Sequence, residues 1–192
     1  IRSSFGIDFD PIIGNLWDTE NGGTMGDEIN LVRPGFNSGW RQVEGIWSGD
    51  ERQYNFTSHL VDSNNLNLVD FEGKGKYSGP ELTWYKDVGL TALKFLKSDK
   101  LGKQYENDIF VGDFNNGYIY HFDLNGNRKE LFLDGPLADR VVNHPAELHA
   151  NIFGQIFGGI SDIEVGPDGY LYVVAIGQGK IFRIIPNTNV SM

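Results

Sequence analysis

The chain has 192 residues, the length of one domain, with 16 basic against 26 acidic side chains and a formal net charge of −10. That balance excludes a nucleic-acid or anionic-membrane surface as partner, because both need a basic face, and no apolar run reaches the roughly 18 residues that span a bilayer. The absence of cysteine removes disulfides, thiolate-ligated metal centres and a thiol nucleophile, while 40% hydrophobic residues, 25 glycines and 13% aromatics describe a globular chain of β character.

In chain order, three segments repeat one pattern. The first expects strands at Gly6–Pro11, Asn15–Thr19 and Glu28–Val32. The second expects them at Thr91–Leu96, Asp108–Gly112 and Tyr118–Phe122. The third expects them at Ile160–Val165, Tyr170–Val174 and Gly179–Ile184. β-branched and aromatic residues alternate with polar ones in each strand, which is the period of a half-buried sheet. Asn116-Gly117 and Asp168-Gly169 supply the positive φ that a tight hairpin turn requires. A polar, Asn-rich stretch from about residue 45 to 80 reads as an excursion loop, and 136–151 reads as a short helix or equally as a loop.

Repeats of ~40–50 residues built this way are the signature of propeller blades. The fold class is therefore all-β, a β-propeller, with residues 1–192 as a single domain. Closed propellers need ~4–8 blades and this chain supplies about three. The rest of its own propeller in a longer polypeptide, a second copy or an assembly partner is expected to complete the ring. The chain begins at Ile1, and no signal peptide is visible. The sequons Asn55–Thr57 and Asn189–Ser191 accord with an extracellular or periplasmic protein, although chance alone gives roughly one.

Arg2–Gly6, Leu16–Gly22, Gly26–Asn30 and Gly35–Trp40, followed by Gly79–Leu82, Gly112–Gly117 and Gly166–Gly169, resemble the soluble quinoprotein sugar dehydrogenases of the glucose/sorbosone dehydrogenase family. The resemblance runs along nearly the whole chain and maps it onto the C-terminal half of a six-bladed propeller. It implies a pyrroloquinoline quinone (PQQ) cofactor held by calcium over the central channel, a hydride passing from a sugar C1 to the quinone, and a histidine that takes the hydroxyl proton. The cofactor would carry the redox chemistry and calcium would act as a Lewis acid through oxygen ligands.

Residue by residue, the resemblance places the carbonyls of Gly22 and Gly23 on the cofactor's calcium, and Arg2, Ser3, Asn21 and Asn115 against the cofactor. It places Glu81 and the carbonyls of Glu44 and Ile46 on a second, structural calcium. The plain alternatives are an interblade loop, a surface ion pair and a solvated glutamate. Asp27 and Glu28 would support calcium or neighbouring amides, or cap a strand. His59, His121, His144 and His149 show no metal-ligand spacing. None of them aligns with the family's catalytic base, which is expected in the N-terminal half. Ser3, Ser4 and Ser161 lack a nucleophile-elbow context.

Several positions depart from the family's pattern. Gly23 stands where proline is usual, Ser3 where asparagine is, and Asn115 where the relatives carry lysine. Gly159-Ile160-Ser161 stands where they carry Arg-x-Arg. PQQ is a tricarboxylate and needs paired cations when buried. Each lost charge-assisted hydrogen bond costs ~1.5–3 kcal/mol, so three of them weaken binding by ~10³-fold or more. Three roles stay open on these residues: a PQQ- and calcium-dependent aldose dehydrogenase, a non-enzymatic calcium-stabilised propeller that binds a saccharide or protein, and an assembly subunit.

Overall fold

The computed structural model describes residues 1–40, 42–46 and 68–187. Its strands are β1 Ser4–Phe9, β2 Leu16–Glu20, β3 Asp27–Val32, β4 Phe36–Asn37, β5 Val69–Asp70, β6 Gly75–Tyr77, β7 Leu82–Trp84, β8 Leu90–Phe95, β9 Ile109–Asp113, β10 Ile119–Phe122, β11 Val141–Val142, β12 Ile152–Gly154, β13 Ile160–Val165, β14 Leu171–Ala175 and β15 Lys180–Arg183. Three sheets carry the repeat: β1-β2-β3-β7-β11, β8-β9-β10-β12 and β13-β14-β15. Nine of these strands coincide, to within two residues at every end, with the nine expected from alternation and turn residues. Each blade opens with an antiparallel meander, β1 to β3, β8 to β10 and β13 to β15.

The excursion between β3 and β7 is more than a loop. Among its described residues, β4, β5 and β6 form a small separate sheet in which β4 and β6 run parallel. Part of the expected excursion, 47–67, lies outside the described residues, as do His59 and both sequons' acceptor asparagines. The 136–151 segment resolves into two 3₁₀ turns, Gly135–Asp139 and Pro145–Asn151, separated by β11. No described helix is long and apolar enough to cross a membrane.

The sheets stack face to face, and period 2 divides the middle sheet between two cores. Leu93, Phe95, Ile109, Val111, Tyr120 and Phe122 face the first sheet and meet Trp17, Ile29, Leu31, Leu82 and Trp84. Ala92, Phe110 and Ile119 face the third sheet and meet Ile160, Ile163, Leu171 and Val173. Successive sheets sharing cores in this way make a partial β-propeller. The two ends of the stack remain apolar. Phe5, Ile7 and Phe9, at alternate positions of β1, are more than half exposed, and so is Ile181 on β15.

Candidate functional site

β2 and β3 are joined by the loop Asn21–Gly26, and the first residue of β3 organises it. The buried Asp27 carboxylate accepts from the Gly22 amide at 2.9 Å through Oδ1. Through Oδ2 it accepts from the Val88 and Gly89 amides at 2.8 and 2.7 Å. One side chain thereby ties the β2–β3 loop to the β7–β8 loop. Gly22 is needed for this path, because a Cβ there would lie 1.8 Å from the Met25 carbonyl oxygen. Gly23 is exposed, and a Cβ there would meet only the Glu44 carboxylate, 2.6 Å from Oε1. The proline usual at this place would contest that volume, so Gly23 lets a carboxylate come up beside the loop.

Arg2 reaches the same loop from the start of β1. Its amide donates to Glu20 Oε1 at 2.6 Å, its guanidinium donates to the Asn21 carbonyl at 2.8 Å, and the guanidinium lies over the Trp40 ring at 5.0 Å. Ser3 takes part through its backbone, its carbonyl accepting from the Asn21 amide at 3.0 Å, while its side chain is exposed. The structure therefore brings Arg2, Ser3, Asn21, Gly22, Gly23 and the Glu44 side chain to one rim.

Beneath that rim lies a set of acids. Cross-strand register pairs Asp18 with Asn30 and Glu20 with Glu28, all on one face of the β2–β3 ladder and all buried. Ser4 donates to Asp18, Ser38 to Glu20 and the Gly45 amide to Glu28. Burial, reinforced by the Glu20 charge, pushes the Asp18 carboxyl up to about 6 against the pull of the Ser4 hydrogen bond. Burial and then the Glu20 charge push Glu28 well above the ordinary carboxylate range. Asp18 Oδ1, Glu20 Oε2, Asn21 Oδ1 and Asn30 Oδ1 are buried without a hydrogen-bond partner. The alternation of acids and an amide along two paired strands was the available signal for Asp18 and Glu20. Only strand register turns that alternation into one cluster.

The β9–β10 turn bears Asn115. Its geometry comes from buried Asp113, whose carboxylate accepts from the Asn116 and Gly117 amides at 2.7 and 2.9 Å and from the Tyr120 hydroxyl at 2.6 Å. Gly117 takes φ +66, and a Cβ there would strike the Gly158 amide nitrogen at 2.4 Å. The Asn115 amide donates to the Val88 carbonyl at 3.0 Å, so this turn too abuts the β7–β8 loop. Between them opens a cavity of about 300 Å³ with aromatic walls from Trp84, Tyr118 and Tyr120 and a polar rim that includes Lys86, Asp87 and Asn115. Burial, followed by the Asp27 and Glu44 charges, pushes Asp87 up to about 6, with Arg2 opposing. Arg2, Glu44, Asp27 and Asp87 thus share one electrostatic neighbourhood.

Glu81 lies elsewhere. It is buried, and Arg140 Nη2 stands 3.0 Å from its Oε2. Ile46 packs on the neighbouring Val141. The Glu81 charge thus has a guanidinium partner inside the protein, and the Glu44 carboxylate turns to the Gly23 loop. At the 159–161 segment Ile160 is core and no cation is present. His144, just before the second 3₁₀ turn, and His149, on it, are exposed. His121 has acidic neighbours that linear spacing does not report: at the open end of the β9–β10 hairpin its Nε2 lies 3.0 Å from Asp108 Oδ2 and 3.6 Å from Asp123 Oδ1. Strand pairing, which linear spacing does not report, assembles that group.

The curated aldose sugar dehydrogenase YliI of Escherichia coli is 27% identical over 192 residues, which cover 97% of this chain and 42% of that protein. The crystal structure of the soluble aldose sugar dehydrogenase from Escherichia coli in the apo-form matches with a TM-score of 0.58 at 27% identity, covering 90% of this chain and 41% of that one. The PQQ-bound form of the aldose sugar dehydrogenase from Streptomyces coelicolor shares the fold, with a TM-score of 0.59 at 16% identity over 95% of this chain and 42% of that one. This chain spans less than half the length of each of these relatives. The family profile described as Glucose / Sorbosone dehydrogenase matches residues 1–183, so with its stacked blades and its loop cluster the chain belongs to the glucose/sorbosone dehydrogenase family.

Proposed function

We propose that this chain is the C-terminal half of a six-bladed quinoprotein aldose dehydrogenase, and that it supplies the calcium loop and one wall of the cofactor site. The observation that carries the reading is the convergence of three loops. Asp27 joins the Gly22–Gly23 loop to the β7–β8 loop, and the Asn115 amide of the β9–β10 turn donates to the Val88 carbonyl of that same loop. The donor set fits the groups expected there. The loop's carbonyls and the Glu44 carboxylate are hard oxygen donors suited to calcium. The Arg2 guanidinium, oriented by Asn21 and Trp40, is a bidentate partner for a carboxylate.

PQQ and calcium, which Arg2 and the carbonyls of Gly22 and Gly23 would hold, would supply hydride-acceptor and Lewis-acid chemistry. The protein's part is positioning and electrostatics. Arg2 would hold a carboxylate and the Gly22–Gly23 loop would present oxygens. The substrate is a neutral sugar, in keeping with a site whose carboxylates outnumber its cations. The exposed stripe Phe5, Ile7 and Phe9 is the face on which the preceding blade would pack. Export to the periplasm or extracellular space belongs to the same reading.

The alternative is a calcium-stabilised propeller that no longer binds PQQ, and the replacement of family cations at Asn115, Gly159 and Ser161 favours it. PQQ titrated into the natural polypeptide with saturating calcium separates the two. Dehydrogenase function gives a bound-quinone spectrum and dye reduction by glucose. No spectral change, with calcium still raising the melting temperature, overturns it in favour of the alternative.

A further inference from the structure

The open end of the β9–β10 hairpin carries side chains that the proposed function does not use. Register pairs His121 with Phe110 and Phe122 with Ile109, so the next step sets Asp123 against Asp108. His121 and Asp123, two residues apart, lie on one side of the strand, and Asp108 meets them across the pair. His121 Nε2 lies 3.0 Å from Asp108 Oδ2 and 3.6 Å from Asp123 Oδ1, and the three atoms lie within 4.8 Å of one another. Among the described residues neither carboxylate has an arginine or lysine partner. Burial first, then contact with Asp108 and its charge, push Asp123 above the ordinary carboxylate range against the pull of His121. Two acids crowded in this way favour a dication between them. The imidazole is held in place: its ring stands edge-on to Tyr105 at 5.0 Å and tilted on Phe110 at 5.1 Å, and the His121 carbonyl accepts from the Asn151 side chain at 3.1 Å.

We propose that His121, Asp108 and Asp123 form a binding site for a divalent transition-metal ion such as zinc, with one imidazole nitrogen, two carboxylate oxygens and a position left to water. Zinc bonds of about 2.0–2.2 Å set neighbouring ligand atoms about 2.8–3.6 Å apart, the span in which His121 Nε2 holds both oxygens. Asp123 is the exposed member, and its side chain is free to turn and complete the triangle. Calcium, which takes six to eight oxygens, is poorly served by this set. The Asp123 carbonyl accepts from the Phe132 amide at 2.8 Å, so a bound ion would clamp the base of the 123–132 excursion. This site lies at the opposite end of the hairpin from the Asn115 turn and does not rest on the quinoprotein reading. A plain histidine–carboxylate ion pair, the competing account, would bind no metal.

The test is calorimetric titration of zinc chloride into the natural polypeptide, stripped with chelator and returned to saturating calcium so that calcium sites are filled. Wild type is expected to bind zinc, and Asp123→Asn and His121→Gln to weaken that binding at least 10-fold. His149→Ala, which removes an exposed histidine elsewhere, should leave it unchanged. Zinc in large excess over its dissociation constant should raise the melting temperature of wild type by several degrees and that of Asp123→Asn far less. Without metal, Asp123→Asn should melt with wild type, because Asp123 is exposed; it decides the matter alone if His121→Gln does not fold. No zinc binding by wild type, or binding within twofold of wild type in Asp123→Asn, overturns the site.

Discussion

Replacing Asp27 by alanine tests whether one carboxylate holds the candidate site together. It accepts three backbone N–H groups at 2.7–2.9 Å, from Gly22, Val88 and Gly89, and it is 1% exposed. A hydrogen bond to a charged acceptor contributes ~1.5–3 kcal/mol, so three bonds taken singly total on the order of 4–9 kcal/mol. The donors sit on part-buried loops where water can enter and neighbouring bonds are not additive, so the expected loss is about 4 kcal/mol. Asn is not a conservative repair. Its amide has one acceptor oxygen, so its NH₂ must face either the Gly22 amide or the Val88–Gly89 pair, and about half the loss should remain. The assay is denaturant unfolding of the natural polypeptide, paired with amide hydrogen exchange. Alanine should accelerate exchange at Gly22, Val88 and Gly89 ahead of the sheet amides. Asp99→Asn, at an exposed position, serves as control and should stay within about 0.5 kcal/mol. An Asp27→Ala protein within 1 kcal/mol of wild type, or with unchanged exchange at those three amides, would refute the reasoning.

Two further predictions follow from the same loops and the acids beneath them. Asp18 ordinarily titrates near 3.8 and is pushed up to about 6 in the folded protein. Between those values the folded state keeps a proton that the unfolded chain releases, so stability falls as pH rises through that window, by about 3 kcal/mol, and stays lower above it. Asp18→Asn removes this titration and should flatten the fall measured from pH 3.5 to 7.5; an identical slope in the variant would exclude Asp18 as its source. Gly22→Ala should destabilise the protein by ~1–3 kcal/mol and weaken calcium binding, because its Cβ meets backbone. Gly23→Ala should be nearly silent in stability, since only the mobile end of Glu44 is in the way. Equal effects at the two glycines in unfolding and calcium titration would contradict the loop geometry.

What the amino-acid sequence determined by itself was the local framework. Alternation in segments such as Ile160–Val165 and Leu171–Ala175, with Asp168-Gly169 between them, specifies strand, turn and strand, because a strand's two-residue period and a hairpin's positive φ are properties of neighbours in the chain. The order of the glycine- and acid-bearing loops was likewise legible, and it carried the family resemblance from Arg2 to Gly169. Tertiary structure alone decided which side chains share a space. Asp27 meets Val88 and Gly89 some sixty positions away, and Glu81 finds Arg140 as its counter-ion. His121 joins Asp108 and Asp123 through hairpin pairing. Asp18, Glu20, Glu28 and Asn30 become one buried set only once β2 and β3 are in register, and Asn115 meets the Val88 carbonyl only when the β9–β10 turn closes on the β7–β8 loop. These contacts depend on strand register and loop closure, which burial of the cores between stacked sheets sets over the whole domain and which no short window of residues encodes.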